Sequence, residues 1–213
     1  MKYLGMPAGM WLLFNRSFER KLTEVLEFDE TEAEKIRAEA KEEYKRIIAG
    51  LPEFEKKDRF KMNIVNCAML SAFILKMNRK PSVEKMTDYY HDAMMTEPMK
   101  WFCRQAAKVK FSEKDLESMK ETAEFKAADR NPYSWNMELY PYEDGSGYEA
   151  RFSKCGICTL MKELGLTEYI PAMCRLDYAM SEAGGVSEFV RKYTLASGGE
   201  YCDCGYRKLK KTV

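Results

Sequence analysis

The feature that most constrains this chain is a change of hydrophobic period near residue 131. Before it, apolar residues recur every three or four positions, the spacing of one helix face; after it, they alternate. Phe14, Phe18, Leu22 and Leu26 mark a first helix. Thr31 with Glu34 has capping-box spacing, in which each side chain satisfies an orphan amide at a helix start. The helix that follows carries Ala33, Ile36, Ala40, Tyr44, Ile47 and Ile48 on one side and ends at Gly50-Leu51-Pro52. Residues 60–77 are apolar almost all round, which predicts a buried central helix. Asn78-Arg79-Lys80-Pro81 stops it. Ser82 opens a further helix to about Thr96, a short one lies around Trp101, and Ser112 with Asp115 starts another.

From residue 131 the pattern is that of strands. Trp135, Met137 and Leu139 alternate with polar neighbours, Glu143-Asp144-Gly145-Ser146-Gly147 is a turn, and Tyr148, Ala150 and Phe152 alternate again, predicting a hairpin. Helices are expected at about 155–164 and 167–180. Strands follow at 189–196 and 201–208, joined through Ser197-Gly198-Gly199. The order β-β-α-α-β-β puts both late helices between the hairpins. The expectation is a single α+β domain over 1–213, with a helical part (1–130) packed on a four-stranded antiparallel sheet (131–213) rather than a parallel βαβ fold.

Thirty-five Lys and Arg against 34 Asp and Glu leave a net charge of +1, which gives no electrostatic footprint for nucleic acid or for a membrane surface. No run approaches the roughly 18 uncharged apolar residues of a membrane span. The apolar stretch from Tyr3 to Phe14 follows Lys2, but Gly5, Pro7 and Gly9 break a signal-peptide helix and no small-residue cleavage site follows. A cytoplasmic, bacterial-type protein is expected, its partner a small molecule; the oligomeric state stays open.

Seven cysteines, an odd number without an export signal, read as reduced thiols. Cys67 and Cys103 stand alone, whereas Cys155, Cys158, Cys174, Cys202 and Cys204 fall in the last third. His91 is the one histidine, so any mechanism needing two from one chain is excluded. Cys155-Gly-Ile-Cys158 sits where a strand gives way to a helix, and a helix start favours thiolate. Cys202 and Cys204 share a strand face. Together the four have donors for zinc or an iron–sulfur cluster, a reading held as the alternative to no cofactor. Cys174 and Asp177, three apart on a helix, form either a thiol–carboxylate pair or a small hydrophobe beside a solvated acid.

The runs Phe152-Ser-Lys-Cys155-Gly-Ile, Ile170-Pro-Ala-Met-Cys174-Arg-Leu-Asp177 and Tyr193-Thr-Leu-Ala-Ser-Gly-Gly-Glu-Tyr-Cys202-Asp203 resemble the L-2-amino-thiazoline-4-carboxylic acid hydrolase family. The resemblance spans about residues 150–206, and Gly50-Leu51-Pro52 with the helix after it also fits. It implies Cys155, Cys174, Asp177, Cys202 and Asp203 as catalytic residues. Cys158 and Cys204 fall outside the common pattern. The implied reaction opens a cyclic isothiourea: a nucleophile meets the electron-poor C=N carbon, a carboxylate such as Asp177 pairs with the amidine-like end, and Arg151, Arg175 or Arg191 holds the substrate carboxylate. Cys155, Cys174 and Cys202 are then expected around one pocket. The competing expectation is a non-enzymatic small-molecule or metal sensor of the vinyl-reductase-like type.

Overall fold

A computed structural model of the chain describes residues 5–210. Lys2 and Tyr3, at the head of the apolar stretch, lie outside the described residues. The chain divides into two compact units, one made of 1–96 with 156–175 and the other of 97–155 with 176–213.

The first unit is helical: α1 (Met6–Glu24), α2 (Glu30–Gly50), α3 (Lys61–Lys76), α4 (Val83–Met94), α7 (Gly156–Glu163) and the start of α8 (Ile170–Gly184). Helix α3 is the buried element, with Ile64, Val65 and Cys67 through Ile74 all inside. Helices α1, α2 and α7 pack on it. Phe18 meets Phe73 at 4.9 Å and Tyr89 edge-on at 5.6 Å, and Trp11 stacks on Tyr44 and Phe73. Each such ring removes a large apolar area from water, which stabilises the bundle by about 1.5–3 kcal/mol per side chain. Pro7 and Gly9 do not interrupt α1, contrary to expectation. Proline stands in the first turn, where its missing N–H would have had no intrahelical partner. The capping box is Asp29 with Glu32, not Thr31 with Glu34: the Glu32 amide donates to Asp29 and the Glu32 carboxylate accepts from the Asp29 amide. Both pairs have the required spacing, and the one nearer the buried Phe28 starts the helix.

The second unit holds α5 (Glu97–Ala107), α6 (Glu113–Ala127), the later part of α8, and the sheet: β1 (Glu138–Pro141), β2 (Gly147–Phe152), β3 (Ser187–Val190) and β4 (Cys202–Lys208). All pairs are antiparallel, in the order β1-β2-β4-β3. Ser112 caps α6 as expected. The α+β class and the β-β-α-α-β-β order therefore hold, but two strands are shorter than their alternation suggests. Strand β1 begins at Glu138 rather than Trp135. Just upstream, the Asn136 side chain accepts from the Lys154 amide at 2.8 Å and donates to Ser153 Oγ at 2.5 Å, taking the place of ladder bonds. Strand β3 stops at Val190, because the amides of Lys192 and Tyr193 donate to the Asp203 carboxylate instead of to a strand. A single 3₁₀ turn, Leu195–Ser197, follows where strand was expected.

A buried cation anchors the approach to β1. Lys126, with no exposed side-chain surface, pairs with Asp129 at 2.5 Å and donates to Ser134 Oγ at 2.5 Å. Lys154 donates to the carbonyls of Asp129 and Asn131, both at 3.0 Å. Charges inside a protein must be partnered this way, because an isolated one is expensive.

Candidate active site

Strand alternation sorts β4 into two faces. Cys202, Cys204 and Tyr206 point one way, with Phe152, Ala150 and Tyr148 opposite them on β2; Asp203, Gly205 and Arg207 point the other. The first face carries the densest chemistry of the second unit. Phe189 on β3 pairs with Tyr206 and touches its ring at 5.0 Å, and Tyr178 of α8 meets Phe189 edge-on at 4.7 Å. Arg191, just past β3, lies over the Phe189 ring at 4.6 Å. From there its Nη2 donates to Asp177 Oδ2 at 2.5 Å and to Cys204 Sγ at 3.0 Å. One guanidinium nitrogen thus holds a carboxylate from the helix and a thiol from the sheet.

Exposure decides what this trio can do. The Arg191 side chain is 6% exposed, whereas that of Asp177 keeps 41% of its surface open to water. Burial among protein groups raises the Asp177 pKa above the ordinary carboxylate value, while Arg191 limits the rise. Asp177 is therefore a recessed carboxylate that solvent can reach and that takes up a proton more readily than a surface acid. Burial on its own would lower the Arg191 pKa, but Cys204 and Asp177 outweigh it, so the guanidinium stays charged. Burial pushes the Cys204 thiol up to about 12, despite Arg191 beside it. Burial likewise raises Cys202, which accepts the Leu195 amide at 3.3 Å and also feels the charge of Cys155. The Tyr206 phenol is raised well above its usual value, again mainly by burial.

The expected site residues fall into groups. Asp177 and Arg191 come together, with Cys204 as their third member. Cys155 and Cys202 lie within electrostatic reach of one another. Cys174 is half-buried on α8, one turn before Asp177, and Arg175 beside it is exposed. Asp203 is 7% exposed, and its carboxylate gathers the amides of Lys192 (2.9 and 3.1 Å) and Tyr193 (2.6 Å), which shapes the segment after Arg191. Arg151 is on the other sheet face from Cys204, paired with Glu149 at 2.5 Å and stacked between Tyr140 and Tyr201. His91 bonds its neighbour Asp92 at the surface of α4.

In the sequence Arg191 is a candidate for the substrate carboxylate and Cys204 a metal donor; in the structure Arg191 holds Asp177 and Cys204 instead. The available signal was the run Cys202-x-Cys204-x-Tyr206, whose period of two puts the three on one face. No group of three or more His, Cys, Asp or Glu residues that could hold a metal ion occurs among the described residues. No helix among those residues is long and apolar enough to cross a membrane.

The fold and this cluster define an α+β protein with an arginine-held carboxylate and adjoining thiols on one face of an antiparallel sheet. Residues 62–206 match the family model of L-2-amino-thiazoline-4-carboxylic acid hydrolase, and the chain belongs to that family. No curated protein and no solved structure matches it.

Proposed function

We propose that the protein hydrolyses a small cyclic amidine-like carboxylate of the 2-amino-thiazoline type, with Asp177 as the proton-transfer group. The observation that carries this reading is the state of Asp177: recessed yet open to water, raised in pKa, and fixed by Arg191. A base of raised pKa is stronger than a surface carboxylate, and burial with Arg191 beside it sets both the direction of that shift and the aim of the group. Asp177 takes a proton from water as the water oxygen bonds to the C=N carbon and the π pair of that bond moves onto nitrogen. The pair then returns to re-form C=N, the ring bond from that carbon to its leaving heteroatom breaks with its electrons on the heteroatom, and the same proton passes to the heteroatom, so the sum is addition of one water. Arg191 keeps the carboxylate aimed and supplies positive charge to the anionic substrate. Cys204, with its thiol pushed up to about 12, is a neutral hydrogen-bond partner here rather than a thiolate nucleophile. Cys155 and Cys202 lie within electrostatic reach of one another, and Asp203 acts through the segment that follows Arg191.

The test is turnover of 2-amino-thiazoline-4-carboxylate by the purified chain, with Asp177→Asn as the deciding variant. The expected result is hydrolysis that falls by about 10²–10⁴-fold in the variant, the range for losing a general base, with the fold intact by circular dichroism. Saturable binding without turnover in the wild-type protein would replace this reading with that of a small-molecule sensor.

A further inference from the structure

The sheet face away from Asp177 carries a ladder of rings and cations. Tyr140 on β1 lies under the Arg151 guanidinium at 4.4 Å, and Arg151 lies over Tyr201 at 4.9 Å. Tyr201 in turn meets Tyr193 at 5.6 Å with an interplanar angle of 64°. Tyr193 is the outermost rung and is 50% exposed. Beside it opens a cleft of about 500 Å³, lined by Tyr193, Ser197, Gly198, Gly199, Glu200 and Tyr201. That size suits a small molecule rather than a peptide. Hydrogen bonds tie the backbone of the lining together. Asp203 fixes the Tyr193 amide, Cys202 fixes that of Leu195, and Thr194 Oγ1 accepts from Ser197 N at 3.0 Å. The glycines keep the wall thin: Gly198 has φ +83°, and a Cβ on Gly199 would stand 3.0 Å from the Thr194 carbonyl oxygen. Two tyrosine rings at a steep angle beside a carboxylate, Glu200, make a surface that attracts organic cations through ring quadrupoles and direct charge. Arg151 shows that one of these rings already accepts a planar cation.

We infer that this cleft is a binding site for a small planar organic cation of the guanidinium or amidinium class, separate from the Asp177 cluster. The ligand lies against Tyr193 as the next rung, with its N–H groups toward Glu200. The experiment is an NMR titration of the full chain, carrying labelled tyrosine, with methylguanidinium and with its neutral isostere N-methylurea. Methylguanidinium shifts the ring signals of Tyr193 and Tyr201 saturably, and N-methylurea leaves them in place. Tyr193→Leu weakens binding about fivefold and Glu200→Gln about threefold, the scale of one exposed cation–π contact and one exposed ion pair. Asp177→Asn, which the proposed hydrolysis cannot tolerate, leaves this binding unchanged, so the two readings stand or fall separately. Equal shifts with N-methylurea would overturn the inference by reducing the cleft to an unselective apolar groove. Binding indifferent to both Tyr193→Leu and Glu200→Gln would overturn it by placing the cation elsewhere.

Discussion

Replacing Arg191 with methionine isolates the interaction on which the candidate site depends. Methionine keeps an unbranched chain against Phe189 but removes the guanidinium that bonds Asp177 and Cys204. A fully buried ion pair broken on one side costs about 3–5 kcal/mol and an exposed pair about 0–1 kcal/mol. This pair is mixed, with Arg191 at 6% and Asp177 at 41% side-chain exposure, so about 1–3 kcal/mol is expected near neutral pH. The loss depends on pH in a definite sense. A carboxyl whose folded pKa is raised binds protons more tightly in the folded chain. Its contribution to stability is complete at low pH and is lost as pH rises from its ordinary value, 3.8, through the folded value. Without Arg191 that restraint on the rise at Asp177 is gone, so that window extends upward. Urea unfolding of wild type and Arg191→Met at about pH 3 and about pH 7.5 is the assay, and most of the difference should vanish at the lower pH, below the ordinary value of 3.8. In an Asp177→Asn background the Arg191→Met cost should be smaller at the higher pH. An equal loss at both pH values, or in both backgrounds, would refute the claim that Arg191 acts through the Asp177 carboxylate.

Three further outcomes can be checked on the folded protein. With its pKa near 12, Cys204 is thiolate in only about one molecule in 10⁴ at pH 8, so a disulfide reagent should modify it only on unfolding; rapid labelling of the native chain, mapped to Cys204, would contradict this. Lys126→Met leaves Asp129 without its buried partner and should cost about 3–5 kcal/mol. Burial alone would raise Asp129, but Lys126 and the Asn131 amide outweigh it and hold it low, so its stabilisation is present above pH 3.8 and lost as pH falls through the folded value; thermal melts of wild type and variant should converge in acid. Gly205→Ala would put a Cβ 2.4 Å from Tyr142 Oη and 2.7 Å from Val190 Cγ2; a loss of about 1–3 kcal/mol is expected, and melting of the Tyr142→Phe double variant should show part of it recovered.

Periodicity made most elements legible, because a buried face imposes its period on the sequence. Helix α3 announced itself by being apolar all round, and the two hairpins by alternation around glycine turns. What escaped were places where a side chain does the work of the backbone. Asn136 ends the alternation before β1 and Asp203 ends it after β3, and neither residue differs in sequence from an ordinary strand or loop polar group. The Asp29 cap was missed because Phe28-Asp-Glu-Thr-Glu-Ala-Glu offers the same spacing twice. At the candidate site, the family-like run points to Asp177, and Arg191 enters separately as one of three arginines suited to a substrate carboxylate. Their pairing joins residues fourteen apart on a helix and beyond a strand, a distance that no local pattern encodes. The burial of Lys126 has no sequence signal, since nothing in its neighbourhood marks that Asp129 and Ser134 close over it.

The interleaving of the two units has a consequence for how the chain is made. The helical unit owns residues 1–96 and 156–175, and the whole of α5, α6, β1 and β2 is translated between those pieces. At ribosomal speeds the about eighty residues from Thr96 to Arg175 take roughly 4–16 s to appear. For most of that interval, until α7 (Gly156–Glu163) has been made, α3 lacks Leu160 and Met161 of the helix that packs on it. The most apolar helix of the protein thus spends seconds on the nascent chain with one flank uncovered, which marks it as the segment a holding chaperone would meet first. Neither unit can be expressed as one uninterrupted fragment, and a circular permutant opened between Thr96 and Glu97 would still interleave them.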